Sequence, residues 1–185
     1  MKIVVLTAPS GSGKTTIARA LLQRYPQMSF SVSATTRKPR AGEQDGVDYH
    51  YLSEAEFRAR IAEDAFIEHE EVYAGLFYGT LKSEIERIAR QGVALLDIDV
   101  KGALNVKALY GDAAQTIFIK PPSLPILEAR LVARGSETPE SLKRRLDKAA
   151  FELQFADQCD VVIVNDVLDV AVQEVIVAVD AFLAA

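Results

Sequence analysis

Ile3-Val4-Val5-Leu6-Thr7-Ala8-Pro9-Ser10-Gly11-Ser12-Gly13-Lys14-Thr15-Thr16 decides the fold of this 185-residue chain. The first five residues form a short, unalternating apolar and β-branched run, which suits a strand buried on both faces. Pro9, Ser10 and two glycines break the run, after which Ile17, Leu21 and Leu22 recur at helical spacing. A strand, a glycine-rich loop and a helix opening on Lys-Thr-Thr make a polyphosphate cradle. Loop amides and the helix N-terminus face the anion, the lysine adds a point charge, and a hydroxyl is available to a divalent cation. The amides of Ser10, Gly11, Ser12, Gly13, Lys14 and Thr15 are therefore assigned to the phosphates of a nucleotide. Lys14 is assigned to the β- and γ-phosphates, Thr15 to Mg²⁺, and Thr16 to a further α-phosphate contact. The full pattern G-x-x-x-x-G-K-[ST] asks for glycine at position 8, where the chain has Ala8. Alanine at positive φ costs on the order of 1 kcal/mol, so Ala8 is expected at negative φ.

Working outward, similar apolar runs recur at Val93 to Ile98, Thr116 to Ile119 and Asp160 to Val164. Val172, Val175, Ile176, Val179, Phe182 and Leu183 then form a helical stripe. These elements predict an α/β fold, with a three-layer core around a parallel sheet. Two insertions interrupt it. Residues 32 to 81 read as a small lobe of short antiparallel strands and turns, and residues 124 to 155 as a charged helical lid. The core then comprises about 1–31, 82–123 and 156–185, all within a single domain.

Composition bounds the function. With 49% hydrophobic and 25% charged residues, the chain is neither disordered nor fibrous. Its longest uncharged stretches, Ile3 to Gly13 and Tyr25 to Thr36, fall short of the roughly 18 apolar residues of a membrane span. A net charge of −5 disfavours a general nucleic-acid surface. Cys159 is the only cysteine, and His50 and His69 the only histidines, so any metal must be held by oxygen ligands. The opening residues do not read as a secretory signal. The expectation is a cytoplasmic protein with no membrane, nucleic-acid or obligate protein partner.

Asp97 and Asp99 stand two residues apart at the carboxyl end of the run from Val93, where open α/β sheets bind ligands. One of them could hold Mg²⁺ through water while the other accepts from a ligand's N–H groups. The competing reading is that Asp99 caps a helix beginning near Gly102.

Thr35-Thr36-Arg37-Lys38-Pro39-Arg40, followed by Gly42-Glu43, Gly46 and Asp48-Tyr49, gathers two guanidinium groups with hydroxyl donors. With the loop before it, and Phe66-Ile67-Glu68, Tyr78-Gly79-Thr80, Leu96-Asp97-Ile98-Asp99 and Pro121-Pro122-Ser123 after it, the chain resembles a guanylate kinase, of the P-loop nucleoside monophosphate kinases, along essentially its whole length. The resemblance implies Mg²⁺-dependent transfer of the ATP γ-phosphoryl group to GMP, and to dGMP, giving ADP and GDP. It implies that Arg37, Arg40, Tyr49 and Tyr78 clamp the GMP phosphate, and that Ser33, Glu68, Thr80 and Asp99 face guanine. Arg134 and Arg145 would be lid cations over the ATP phosphates, and Asn165 would contact the adenine. With Asp97 beside Thr15 at the metal, Lys14, Arg37, Arg134 and Arg145 make up the catalytic charge. Phe77 departs from the family's pattern and is expected to pack the small lobe. A catalytically silent module of the same fold, capturing phosphopeptides on Arg37, Arg40 and Tyr49, is the alternative; intact Lys14, Thr15, Arg134 and Arg145 argue against it.

Overall fold

The computed structural model describes residues 1–133 and 138–185. In chain order the elements are β1 (Lys2–Thr7), α1 (Lys14–Arg24), β2 (Met28–Phe30), β3 (Ala34–Thr35), β4 (His50–Tyr51), α2 (Glu54–Ala62), β5 (Phe66–Tyr73), β6 (Leu76–Leu81), α3 (Lys82–Gln91), β7 (Val93–Asp97), α4 (Val100–Tyr110), β8 (Ala114–Lys120), α5 (Leu124–Ala133), α6 (Pro139–Leu153), β9 (Val161–Val164) and α7 (Leu168–Ala184). Five of the strands form one parallel sheet in the order β2-β7-β1-β8-β9. β1 lies at its centre, with Ile3, Val4, Val5 and Leu6 all fully buried.

Alternation along β1 builds the layers. Val4 and Leu6 pack with Ile17 and Leu21 of α1 and with Val175 and Val179 of α7. Ile3 and Val5 point the other way, to Ile85 and Ile88 of α3 and Ala103 and Val106 of α4. Each such side chain contributes about 1.5–3 kcal/mol on burial, so the sheet is held from both faces. β9 departs from the expected two-sided burial. It is the edge strand, and only Val161 and Ile163 pack toward α7, leaving Val162 and Val164 exposed. Among the described residues no helix is long and apolar enough to cross a membrane.

A second sheet, ordered β4-β3-β6-β5, occupies the first insertion. It is mixed rather than wholly antiparallel, because β3 and β4 run parallel, Ala34 opposite His50. The excursion of residues 36–49 between them returns the chain in the same direction, which no tight hairpin could do. Phe57 of α2 stacks between Phe66 and Phe77, at ring separations of 4.3 and 5.2 Å, so Phe77 packs the small lobe as expected. In the second insertion, α5 and α6 share an apolar cluster of Leu127, Leu131, Leu142, Leu146 and Ala149. Thr138 caps α6 through a reciprocal bond pair with Ser141, and Pro139 opens the helix.

Candidate functional site

The loop after β1 is shaped by Gly13, which caps α1 at φ +92°. A Cβ there would lie 2.3 Å from Nδ2 of Asn165, so only glycine fits. That contact also shows what holds the Asn165 amide. The residue follows β9, is only 3% exposed, and its Nδ2 donates to the Ser12 carbonyl at 2.8 Å. It braces the loop from beneath. Its own carbonyl accepts from Arg130 of α5 at 2.9 Å. Ser12 is likewise turned inward: its side chain is fully buried and its amide donates to Pro9 O at 3.1 Å. Asp64 is the one described non-glycine residue at positive φ, so Ala8 adopts the expected negative φ.

The remaining loop residues open onto a cavity of about 400 Å³, lined by Ser10, Gly11, Gly13, Lys14, Thr15 and Thr16 together with Asp97 and Asp99. Lys14 forms an ion pair with Asp97 and donates to Ile98 O at 3.4 Å. The lid reaches the same cavity, as Arg145 Nη1 donates to Ser10 Oγ at 2.6 Å. Arg134 lies outside the described residues. No group of three or more His, Cys, Asp or Glu forms a metal cage among the described residues. Mg²⁺ does not need one, since it keeps several waters and is held by one or two protein ligands plus substrate phosphates. The exposed Thr15 hydroxyl beside the Asp97 carboxylate fits that donor set.

A second cavity of about 480 Å³ is walled by Glu68, His69, Glu70 and Asp99, with Lys148 and Glu152 of α6. Glu68 sits opposite Thr80 in the β5–β6 pairing, and Thr80 Oγ1 donates to its Oε1 at 2.5 Å. Burial pushes the Glu68 carboxyl above the usual range, and the neighbouring Asp99 charge pushes the same way, against the Thr80 bond. The helix α4 approaches so closely that a Cβ on Gly102 would stand 2.7 Å from Glu68 Cγ. The strand stops at Asp97, so Asp99 is not a strand residue sharing its face. It is the N-cap of α4, its Oδ1 accepting from the Gly102 amide at 2.9 Å, and its other oxygen remains available to the two cavities it lines.

The basic residues of the small lobe form a third group. Arg37 lies over the rings of Tyr49 and Tyr51, and Tyr49 meets Tyr78 edge-on at 5.9 Å. Both terminal nitrogens of Arg37 bond the two oxygens of Glu43, at 2.9 and 2.8 Å. Glu43 also accepts from the Arg40 amide and from the Tyr51 hydroxyl. These donors, Arg37 first, hold its carboxyl down at about 2, while burial and the Glu43 bond push the Tyr51 hydroxyl up to about 12. A guanidinium fork, an amide and a phenol thus converge on one carboxylate, a donor set that suits an oxyanion. The Arg40 side chain is exposed beside it. Ser33 lines neither cavity; it is half-buried, and its carbonyl accepts from the His50 amide at 2.9 Å.

Sequence reasoning missed Glu43, Tyr51, Gly102, Lys148 and Glu152. Glu43 stands within the quoted arginine motif, three residues after Arg40, and could have been found there. Glu152 carried no local signal, because its burial depends on where α6 lies over the cleft.

The family model described as guanylate kinase matches residues 1–182. A guanylate kinase of Salinibacter ruber is 59% identical over 181 residues, covering 98% of this chain and 96% of that protein. One of Chlorobium luteolum is 52% identical over 183 residues, covering 98% and 92%. The crystal structure of guanylate kinase from Anaplasma phagocytophilum superimposes with a TM-score of 0.72 at 32% identity, over 97% of this chain and 85% of that one.

Proposed function

We propose, from the premise that this chain belongs to the guanylate kinase family and is an ATP:GMP phosphotransferase, that its two cavities each take one nucleotide and meet where the phosphoryl group passes. The observation that carries this reading is that the loop cavity and the Glu68 cavity adjoin, with Asp99, Lys148 and Glu152 common to both walls. In the first, Gly11, Gly13, Lys14, Thr15 and Thr16 receive the ATP phosphates, with Arg145 and Arg134 closing from the lid. In the second, the Glu68 carboxylate accepts from the adjacent N1–H and N2 amino donors of guanine, assisted by Asp99 and Thr80. The nest of Arg37, Arg40, Tyr49 and Tyr78 receives the GMP phosphate, with Glu43 standing in for it in the present conformation.

Phosphoryl transfer asks the protein for in-line positioning and positive charge rather than covalent chemistry. The attacking atom is an oxygen of the GMP phosphate, already anionic, so no general base is required. The ATP γ-phosphorus bonds to that oxygen as its bond to the bridging oxygen breaks, leaving ADP and GDP. Lys14, Arg37, Arg134 and Arg145 balance the charge that develops. Mg²⁺, which the Thr15 hydroxyl and Asp97 would hold, neutralises the β- and γ-phosphates when bound with ATP. Asn165 acts on ATP through Ser12 and the loop backbone. Residues 32–81 and 124–155 move as lobe and lid against the core, so that closure excludes water and completes the arginine set. dGMP is a second acceptor on this reading, because Glu68 addresses the base rather than the sugar. A cytoplasmic site of action accords with a reaction that consumes ATP. The bacterial relatives do not support a silent phosphopeptide-binding module.

Coupled ADP release with ATP and each of GMP, AMP, UMP, CMP and dTMP tests the assignment. A site built on matched hydrogen bonds rejects the wrong base by about 10⁴-fold, so GMP should dominate, and Glu68→Gln should remove most of that preference while leaving the KM for ATP near its original value. Turnover of AMP equal to that of GMP overturns the reading.

A further inference from the structure

The helix α6 turns Arg145, Lys148 and Glu152 toward the cleft, spaced i, i+3 and i+7 so that they lie along one side. Arg145 ends at the phosphate loop, on Ser10. Lys148 and Glu152 are placed differently, since each lines both cavities at once. We propose that Lys148, held by Glu152, is a further phosphate-contacting residue of the transfer site, standing where the donor γ-phosphate and the acceptor phosphate must meet. This rests on the phosphotransferase reading above.

Three observations carry it. The first is position: among the described residues, besides Asp99, Lys148 and Glu152 alone are shared by the two cavity walls. Of these three only Lys148 is a cation; the second cavity otherwise holds Glu68, Glu70 and Asp99, with Lys101 as its one other lysine among the described residues. The second is the state of Glu152, whose side chain is 8% exposed on a lid helix that lines both cavities. Its ion-pair partner is Lys148, at 4.0 Å across one helical turn. Burying a carboxylate whose ion pair is one loosely placed ammonium, with the Lys14 charge acting from farther off, is unfavourable as a stability device. It does direct the lysine stem, because the negative charge fixes the side of the helix on which the ammonium rests. The third is availability: the Lys148 side chain is 55% exposed and borders both cavities, so an arriving phosphate can draw the ammonium from Glu152 without any rearrangement of the backbone. A lysine is a flexible point charge, whereas a guanidinium fork fixes one geometry. The flexible group suits a phosphoryl that begins the step on one nucleotide and ends it on the other. Lys148 on this account contacts the reacting phosphates, and Glu152 is a positioning residue.

The test uses the full chain, with ADP release measured against varied GMP and varied ATP for Lys148→Met, Lys148→Arg, Glu152→Gln and the double variant Lys148→Met/Glu152→Gln. Loss of one charge-assisted contact made at the transfer step corresponds to a fall of about ten-fold or more. Lys148→Met is expected to lower kcat by that factor, with the KM for ATP within about two-fold and Tm within about 2 °C of the parent, as fits a half-exposed side chain. Lys148→Arg should recover most of the rate. Glu152→Gln should give a smaller loss of kcat, and the double variant should be no worse than Lys148→Met, because the carboxylate acts only through the lysine. Unchanged kcat in Lys148→Met overturns the contact, and losses that multiply in the double variant overturn the tether. If Glu152→Gln does not fold, the Met and Arg variants at 148 decide the contact alone. Parent protein that fails to turn over GMP strikes at the phosphotransferase reading; active parent with an equally active Lys148→Met strikes at the lysine only.

Discussion

Replacing Gly102 by alanine should impair the use of GMP while sparing the use of ATP. The added methyl carbon would stand 2.7 Å from Glu68 Cγ, 3.2 Å from Ile98 Cδ1 and 3.3 Å from Glu68 Cβ. Ordinary contact begins at 3.4 Å, so Glu68 Cγ must retreat by about 0.7 Å, the difference between 3.4 and 2.7 Å. Because Thr80 holds the carboxylate from the other side at 2.5 Å, the retreat moves the guanine-accepting oxygens rather than being absorbed elsewhere. Misplacement on the order of 1 Å costs about 10²-fold in a positioned reaction; a shift of about 0.7 Å therefore gives roughly ten- to a hundred-fold in kcat/KM for GMP. Folding should not suffer in step. Position 102 is helical, and alanine gains up to about 1 kcal/mol of helix propensity over glycine, which offsets much of the contact strain. The Gly102 amide keeps its bond to Asp99. Steady-state ADP release with GMP and ATP varied in turn, beside a thermal melt, separates these effects. A variant with unchanged kcat/KM for GMP would falsify the claim that Glu68 reads guanine from beside α4. A loss that fell equally on ATP would refute it too.

Two further outcomes follow from contacts elsewhere in the site. Asn165→Ala removes the donor to Ser12 O and opens space against Gly13. It should raise the KM for ATP about ten-fold, lower stability by about 1–3 kcal/mol by leaving a buried carbonyl unpaired, and leave the KM for GMP within about two-fold; an unchanged KM for ATP would mean that the loop does not need its brace. Glu43 is depressed from the ordinary 4.5 to about 2, so its pairing adds stability that is fully present above pH 4.5 and is lost as pH falls toward 2. Melts of Glu43→Gln and parent across that window should converge as pH falls; a constant difference would place the effect of Glu43 outside its charge.

Much of the core was legible in the sequence because its signals are local. A continuous apolar run, a glycine-rich break and a helical stripe specified β1, the loop and α1, and the same reasoning located β7, β8 and α7 within a few residues. The inward role of Asn165 was not legible, since the group it serves is Ser12, 153 positions earlier in the chain. β3 and β4 are two residues each, too short to carry periodicity, so their parallel pairing could not be anticipated. β9 reads as an interior strand, and only the strand order makes it an edge. At the site, residue types announced the phosphate loop and the arginine pair, whereas Glu43, Gly102 and Glu152 owe their character to what packs against them.

The central position of β1 also sets it far along the chain from the strands that flank it. Lys2–Thr7 comes before both of its partner strands in the chain, Val93–Asp97 and Ala114–Phe118, so its hydrogen-bonded neighbours are long-range and only the face toward Ile17 and Leu21 of α1 can be covered locally. The brace at Asn165 comes later still. The Gly-Ser-Gly-Lys-Thr string is therefore complete in the chain long before the strands and the asparagine that hold it in shape.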